Sequence, residues 1–378
     1  MPPDLAPTAV LAGELADALS AAGHRVIRIG RTRGEAAVDP AMRVIDRVPV
    51  SVGLVAKLRS WPRFAWRAWR LLRRELRAGD LLIVCSDPPL FYPLAVAAAR
   101  RSNARVIHWS QDVYPEVVQA HWPRWALWLR PLRHWRDRAL RRLDALVVIS
   151  AGMAARMAGA PRVLIISNWT HVQPASVPHS ALRAAHFRAD EFVVMYSGNL
   201  GRVHEFDTLA RAAAALAGEP QIRFLIVGGG PRLAELQHAV AGNPAFVFLP
   251  LRPAEELADA LAAADVHLVS LRSAFDGLVL PSKLYGVAAS ARPILYCGDP
   301  AGEAAQMLTH VGCGLSVAEG DAEGLAQAIR RLREDHALRQ QLGARAPQLL
   351  ALQGDRSEAL RRWQSLVAEL LGDAPVSP

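Results

Sequence analysis

The feature that most constrains this chain is an alternation, sustained along its length, of short apolar runs with longer helical stretches. The runs that read as strands are Arg25–Ile29, Leu81–Cys85, Arg105–Trp109, Ala145–Ile149 and Val163–Ile166 in the first half. In the second half they are Phe192–Ser197, Arg223–Val227, Ala245–Leu249, Val266–Ser270, Pro293–Cys297 and Gly314–Val317. Most are apolar at nearly every position rather than at every second one. Such strands are buried on both faces, as in a parallel sheet covered by helices on either side. Stretches such as Thr8–Ala22, Thr208–Ala217, Ala254–Ala263 and Ala322–Arg333 supply those helices. At 378 residues the chain is too long for one ordinary core, so two doubly wound domains are expected, with the break within 171–190.

Composition excludes several classes. With 52% hydrophobic and 21% charged residues, the chain can fill two cores and is not a disordered one. Cys85, Cys297 and Cys313 are too few and too scattered for a disulfide framework or a zinc site, which points to a reducing compartment. No apolar run reaches the ~20 residues of a membrane-spanning helix, and the opening lacks the form of a signal peptide. A soluble, cytoplasmic protein is expected. The net charge of +9 is unevenly held: residues 1–150 carry 24 Lys+Arg against 13 Asp+Glu, whereas 151–378 carry 20 against 22. An anionic partner is expected for the first half alone. Only Lys57 and Lys283 are lysines among 44 basic residues, a bias that looks like GC-rich coding, so arginine as such does not signal nucleic acid.

The second half has the most legible motifs. The run Phe192–Ser197 leads into Gly198-Asn199-Leu200-Gly201-Arg202, and Arg223–Val227 leads into Gly228-Gly229-Gly230-Pro231. Both put glycines between a strand end and a helix start, where backbone N–H groups can approach a phosphate. Pro231 suits the first helical position. Neither motif is a complete dinucleotide fingerprint, and tight turns alone also call for glycine. A third segment, Leu278 to Leu295, reads as loop, small-residue helix and buried strand. Pro281 and Ser282 can open that helix, which puts Lys283 in its first turn. A cation there opposes the helix dipole unless an anion lies between them; the plainer reading is a solvated lysine.

Taken together, Tyr196-Ser197-Gly198-Asn199, Val227 to Pro231 and Pro281-Ser282-Lys283-Leu284-Tyr285-Gly286 resemble the retaining family-4 glycosyltransferases. The likeness is to the bacterial branch that assembles O-antigen, capsule and exopolysaccharide. It extends from Pro2-Pro3-Asp4 through Gly23-His24-Arg25-Val26, Gln111 to Glu116 and Ser167-Asn168-Trp169, and on from Gly298-Asp299-Pro300 to Leu332.

The resemblance implies the GT-B fold, an α/β architecture of two Rossmann-like domains facing across a cleft. The expected domains are residues 1–175, facing acceptor and membrane, and residues 176–354, binding the nucleotide sugar. A helix within 355–378 is expected to return to the first domain, apolar at Leu360, Trp363, Leu366, Val367 and Leu370. The implied reaction is retaining and needs neither metal nor cofactor, with a nucleotide-diphosphate sugar, UDP-linked, as donor substrate. By position, Gly198, Asn199, Gly229, Gly230 and Ser282 would lie at the donor phosphates, with Arg202 as a second cation and Lys283 gripping the diphosphate. Asp112 stands where relatives keep a polar residue that contacts the transferred sugar, although a lone Asp after a strand also caps turns. His108 reads as a core histidine. Two departures from the family stand out. Gly286 replaces a glutamate that holds the ribose, for which Glu303 is the candidate substitute. The other site glutamate falls at Leu278, with Asp276 the nearest acid.

The basic half carries a further pattern. Residues 57–77 hold Trp61, Trp66 and Trp69 among Arg63, Arg67, Arg70, Arg73, Arg74 and Arg77. Residues 122–142 hold Trp122, Trp125, Trp128 and Trp135 with seven arginines, so seven of the ten tryptophans fall in these two stretches. Tryptophan with arginine at helical spacing suits an anionic membrane surface; the alternative is tryptophan in helix packing. No nucleic-acid fold accompanies them. The function expected is transfer of a sugar, an N-acetylated hexosamine among the candidates, to a lipid-linked acceptor at the inner face of the cytoplasmic membrane. A nucleotide-sugar 2-epimerase and a non-catalytic sugar-nucleotide-binding protein are the alternatives. Finally, relatives open with a short apolar strand before Pro2-Pro3-Asp4. Its absence here predicts an upstream start codon or an unstable product, because a central strand would be lost.

Overall fold

The computed structural model of the chain describes residues 7–33, 42–48, 54–170 and 180–372. The Pro2-Pro3-Asp4 opening and residues 171–179 of the expected break lie outside the described residues. The described residues up to Ser167, together with those from Ser357 onward, form one compact unit, and Asn168–Arg356 form the other. The first expected boundary, after residue 175, is thus drawn at Ser167/Asn168.

The first unit holds strands β1 (Arg28–Arg33), β2 (Met42–Val48), β3 (Leu81–Cys85), β4 (Arg105–Ser110), β5 (Ala145–Val148) and β6 (Val163–Ile165). All pair in parallel, but in two sheets: β1 with β2, and β3-β4-β5-β6 in that order. The first described element is the helix Pro7–Ala21, and among the described residues β1 and β3 each have a single strand neighbour. Strand β2 escaped the sequence reading because Arg43, Asp46 and Arg47 break its apolar residues. Strand β1 starts three residues later than expected: Gly23 turns with φ +93°, and Ile27 is 42% exposed.

Strands β4 and β5 are the dry centre of this unit, with Val106, Ile107, Leu146 and Val147 fully buried. The helix Arg356–Leu371 packs here, burying Leu360, Trp363, Leu366 and Val367. Trp363 meets Trp109 of β4 with ring centroids 4.9 Å apart, and Gln364 Nε2 donates to the Ala18 carbonyl at 3.1 Å. His108 is a core residue: its Nδ1 bonds the Val84 carbonyl at 2.9 Å and its ring stacks on Tyr92 at 3.9 Å.

The second unit holds β7 (Phe192–Ser197), β8 (Ile222–Val227), β9 (Phe246–Leu249), β10 (Val266–Ser270), β11 (Ile294–Gly298) and β12 (Gly314–Ala318). They form one parallel sheet in the order β12-β11-β10-β7-β8-β9. Val194, Tyr196, Phe224, Ile226 and Leu295 from the strands join Leu209, Leu325 and Ile329 from the helices in its core. The strand order reverses between β7 and β10. At such a switch point the loops leaving the carboxyl ends of the strands part and open a crevice for a ligand.

Candidate active site

The loops after β7 and β8 pack backbone on backbone at that switch point. Gly198, Gly228 and Gly230 have φ of +122°, +142° and +144°, which side chains rarely adopt. A Cβ on Gly228 would come within 2.0 Å of the Gly198 carbonyl oxygen, and one on Gly230 within 2.5 Å of Asn199 Oδ1. The Gly198 N–H donates to the Val227 carbonyl, and the Leu200 N–H to that of Gly229, both at 2.8 Å. Gly228 and Gly230 therefore serve the packing of the two loops. Gly229 and Asn199 are exposed, and nothing lies within 4 Å of a Cβ on Gly229. Pro231 stands in the turn before the helix Leu233–Ala239 rather than inside it.

Lys283 reaches this loop from the helix Lys283–Ala289, whose preceding Ser282 is exposed and makes no side-chain cap. A Cβ on Gly198 would touch Lys283 Cε at 3.6 Å. The Lys283 ammonium donates to the Tyr196 hydroxyl, lies 4.0 Å from the centre of the Tyr196 ring and is 3.2 Å from His204 Nε2. Among the described residues no carboxylate forms an ion pair with it. Burial holds its pKa well below the ordinary lysine value. The Tyr196 hydroxyl donates to the Asn199 carbonyl at 3.0 Å, and His204 Nδ1 lies 2.6 Å from the Ser270 carbonyl at the end of β10. Burial, then the charge of Lys283, brings His204 down to about 3. A desolvated lysine without a counter-ion, beside an open glycine loop, can accept a phosphate.

Sequence reasoning missed His204 and the role of Tyr196. Tyr196 sits two residues before Gly198 on a strand that was read correctly, so it was within reach. His204 lies in an aperiodic turn and meets Lys283, 79 positions away, only through the fold. Arg202, expected as a second cation, is exposed. Arg232 is the more enclosed cation, its guanidinium donating to the His204 carbonyl at 2.8 Å and pairing with Asp207 at 3.1 Å. Glu303 opens the helix Glu303–Val311 after β11, and its N–H donates to Asp276 Oδ1 at 3.1 Å. Leu278 is buried, whereas a Cβ on Gly286 would meet only Thr170 Oγ1, at 3.9 Å.

In the first unit, Asp112 follows β4 and Asp87 follows β3. The Gln111 N–H donates to Ser86 Oγ at 3.0 Å, tying the two loops together. Burial, then the Asp87 carboxylate, pushes Asp112 up to about 6. The tryptophans divide. On the helix Leu54–Glu75, Phe64, Ala68 and Leu72 form the buried face. Trp66 is 54% exposed, with the Arg70 guanidinium 4.6 Å above its ring; Trp69 is half-buried under Arg73, and Arg67 is exposed. Trp61 is half-buried. Beyond the helix Glu116–His121, the Trp122 and Trp125 rings lie tilted to each other with centroids 6.2 Å apart, and Trp125 and Trp128 are 52% and 83% exposed. No helix among the described residues is long and apolar enough to cross a membrane.

Known proteins resemble both units. The family described as Glycosyltransferase Family 4 matches residues 8–173, and that described as Glycosyl transferases group 1 matches residues 191–335. A Pseudomonas aeruginosa protein named as a probable glycosyltransferase, WbjE, is 28% identical over 70% of this chain and 68% of its own. The lipopolysaccharide core biosynthesis glycosyltransferase LpsD of Rhizobium meliloti is 30% identical over 53% of this chain and 57% of its own. Among solved structures, sucrose-phosphate synthase of Thermosynechococcus elongatus superposes with a TM-score of 0.75 at 20% identity, over 97% of this chain and 94% of that one. HepE of Anabaena, in complex with UDP-glucose, superposes with a TM-score of 0.65 at 16% identity, over 87% and 86%. With a family model on each of its two parallel-sheet units, the chain belongs to the family-4 glycosyltransferases of GT-B architecture.

Proposed function

We propose that the protein transfers a sugar from a UDP-linked donor to a lipid-linked acceptor in the assembly of a bacterial cell-surface polysaccharide, with retention at the anomeric carbon and without a metal. The observation that carries this reading is Lys283, desolvated, without a carboxylate partner, and in contact with the open Gly198 loop. As the bond to the sugar breaks, charge grows on the diphosphate, and a preorganised cation meets it without solvent reorganisation. The lipopolysaccharide role in the name of LpsD and the UDP-glucose held by HepE favour this choice of product and donor. Trp66, Trp125 and Trp128, exposed among arginines, favour an acceptor held at an anionic membrane surface. On this reading the protein works at the inner face of the cytoplasmic membrane.

One observation favours a second reading, a sugar-nucleotide-binding protein without turnover: neither Gly286 nor Leu278 offers the carboxylate that relatives carry. A single assay separates the two. The protein is incubated with a panel of UDP-sugars and with lipid-diphosphate acceptors in anionic vesicles, and label in the lipid fraction is counted. Transfer from one donor with its anomeric configuration kept supports the first reading. Donor-dependent thermal stabilisation without transfer supports the second.

A further inference from the structure

We propose that His204 is a positioning residue for Lys283, and that the site takes up a proton from solvent onto the lysine when a nucleotide diphosphate enters beside Gly198. The inference rests on the reading of Lys283 as the diphosphate cation. His204 Nδ1 lies 2.6 Å from the Ser270 carbonyl, which can only accept, so Nδ1 carries the ring proton and Nε2 a lone pair. That lone pair faces Lys283 Nζ at 3.2 Å, and the lysine donates to it. Protonating the ring would set two cations side by side in a buried setting, so the pair holds at most one positive charge, on Nζ. The Tyr196 hydroxyl takes a second N–H of the lysine, its own proton being committed to the Asn199 carbonyl. When Nζ is an ammonium, one N–H is left over, and it is available to an anion.

The other charged groups nearby are engaged elsewhere. Glu205, next to His204 on the turn after β7, accepts from the Thr208 N–H and hydroxyl at 2.7 and 3.0 Å. Arg232, from the loop after β8, bonds the His204 carbonyl and pairs with Asp207 and Glu235. Among the described residues, strand β10 contributes Ser270, the loop after it Arg272, whose N–H donates to the Val203 carbonyl and whose guanidinium pairs with Glu319 at 3.8 Å, and the next helix Lys283 itself. Among the described residues no carboxylate therefore compensates a charge on Nζ, whereas a nucleotide diphosphate brings negative charge to it. The proton moves from solvent onto the Nζ lone pair and no covalent bond is broken. The anion raises the lysine pKa from its depressed value. Between the free and the bound value, binding takes up a proton and affinity falls as pH rises, approaching about tenfold per pH unit.

The test is calorimetric titration of the full chain with UDP at about pH 8.5, well above the ~6 at which a terminal phosphate titrates. Two buffers of different ionisation enthalpy report the protons taken up. The expected result is close to one proton for the wild type and none for Lys283→Met. His204→Gln can still donate to Ser270 and accept from Lys283, and should keep the uptake. His204→Phe should lose most of it and bind UDP at least about tenfold more weakly, as for a lost bond to a charged group. UDP binding by the wild type without proton uptake overturns the inference and leaves the donor-site reading standing. Absence of UDP binding overturns both. Equal behaviour of the Gln and Phe variants reduces His204 to a packing residue and also overturns the inference. If His204→Phe does not fold, the comparison of wild type, His204→Gln and Lys283→Met still decides it.

Discussion

The two units solve the same packing problem and then diverge at their surfaces. In Asn168–Arg356 the strands form one continuous parallel sheet, and the polar groups at its switch point bond one another: Ser270 to His204, His204 to Lys283, Lys283 to Tyr196, Tyr196 to Asn199. Among the described residues of the other unit the strands fall in two sheets, and large apolar side chains stand in solvent, with Leu127 66% and Trp128 83% exposed. A closed polar network prepares a site in advance for a small charged ligand. Exposed tryptophan beside arginine is prepared for something that supplies both apolar and anionic surface. On the function proposed above, the first arrangement suits recognition of a soluble donor and the second recognition of an interface.

The sharpest way to break that division is Lys283→Ala. Removing one electrostatic donor to a developing charge typically costs ~10²–10³ in turnover. Transfer from the preferred donor should fall by about that factor, with weaker UDP binding. From the sequence Lys283 reads as a surface residue; the structure half-buries it against Tyr196 and His204, so replacement also removes a poorly solvated charge with no carboxylate partner among the described residues. The melting temperature of the unliganded protein should therefore hold or rise. Lys283→Arg should rescue only in part, because a guanidinium is larger and cannot lose its proton. Full turnover by Lys283→Ala would take the donor site away from the switch point.

The second comparison tests the exposed face. Replacing Arg67, Arg70, Arg73 and Arg74 by Gln should weaken binding to anionic vesicles by ~1 kcal/mol for each charge near the surface, and raised salt should act in the same direction. Trp125→Ser with Trp128→Ser should weaken it further while leaving UDP binding in the other unit unchanged. Cosedimentation measures the first effect and calorimetry the second. Vesicle binding that ignores all six changes would return these tryptophans to a role in packing.

How much of this was legible in the sequence follows from the same contrast. The strands β3, β7 and β10 were read to the residue because apolar residues hold most of their positions. Strand β2 was not, since Arg43, Asp46 and Arg47 give it the pattern of a loop. Gly198 and Lys283 were legible as motifs at a strand end and a helix start. The specific need for glycine at 228 and 230 was not, because it comes from two loops touching each other. His204 was invisible for a related reason: its chemistry depends on Ser270 and Lys283, each more than sixty residues away. The exposure of Trp128 could not be separated from core packing until the buried faces of its neighbours were known.

The smallest expected shift is that of Asp87→Asn, which concerns the carboxylates of the first unit. Asp112 is raised to about 6, by burial first and by Asp87 second. If its ionised form contacts the transferred sugar, activity should rise with pH through about 6, and Asp112→Asn should abolish that limb together with most of the activity. Asp87→Asn removes only the smaller cause, so the limb should move to lower pH by less than about one unit. Stability follows the same sign. An acid whose pKa is raised by folding binds more protons in the native state, so stability falls as pH rises between about 4, the unfolded value, and about 6. Asp87→Asn narrows that window from above and should slightly stabilise the protein at neutral pH. Denaturation midpoints at pH 4 and pH 7 measure it: the difference between the two pH values should shrink in Asp87→Asn and shrink further in Asp112→Asn. An unchanged difference in both variants would show that the Asp112 carboxyl does not titrate in this range.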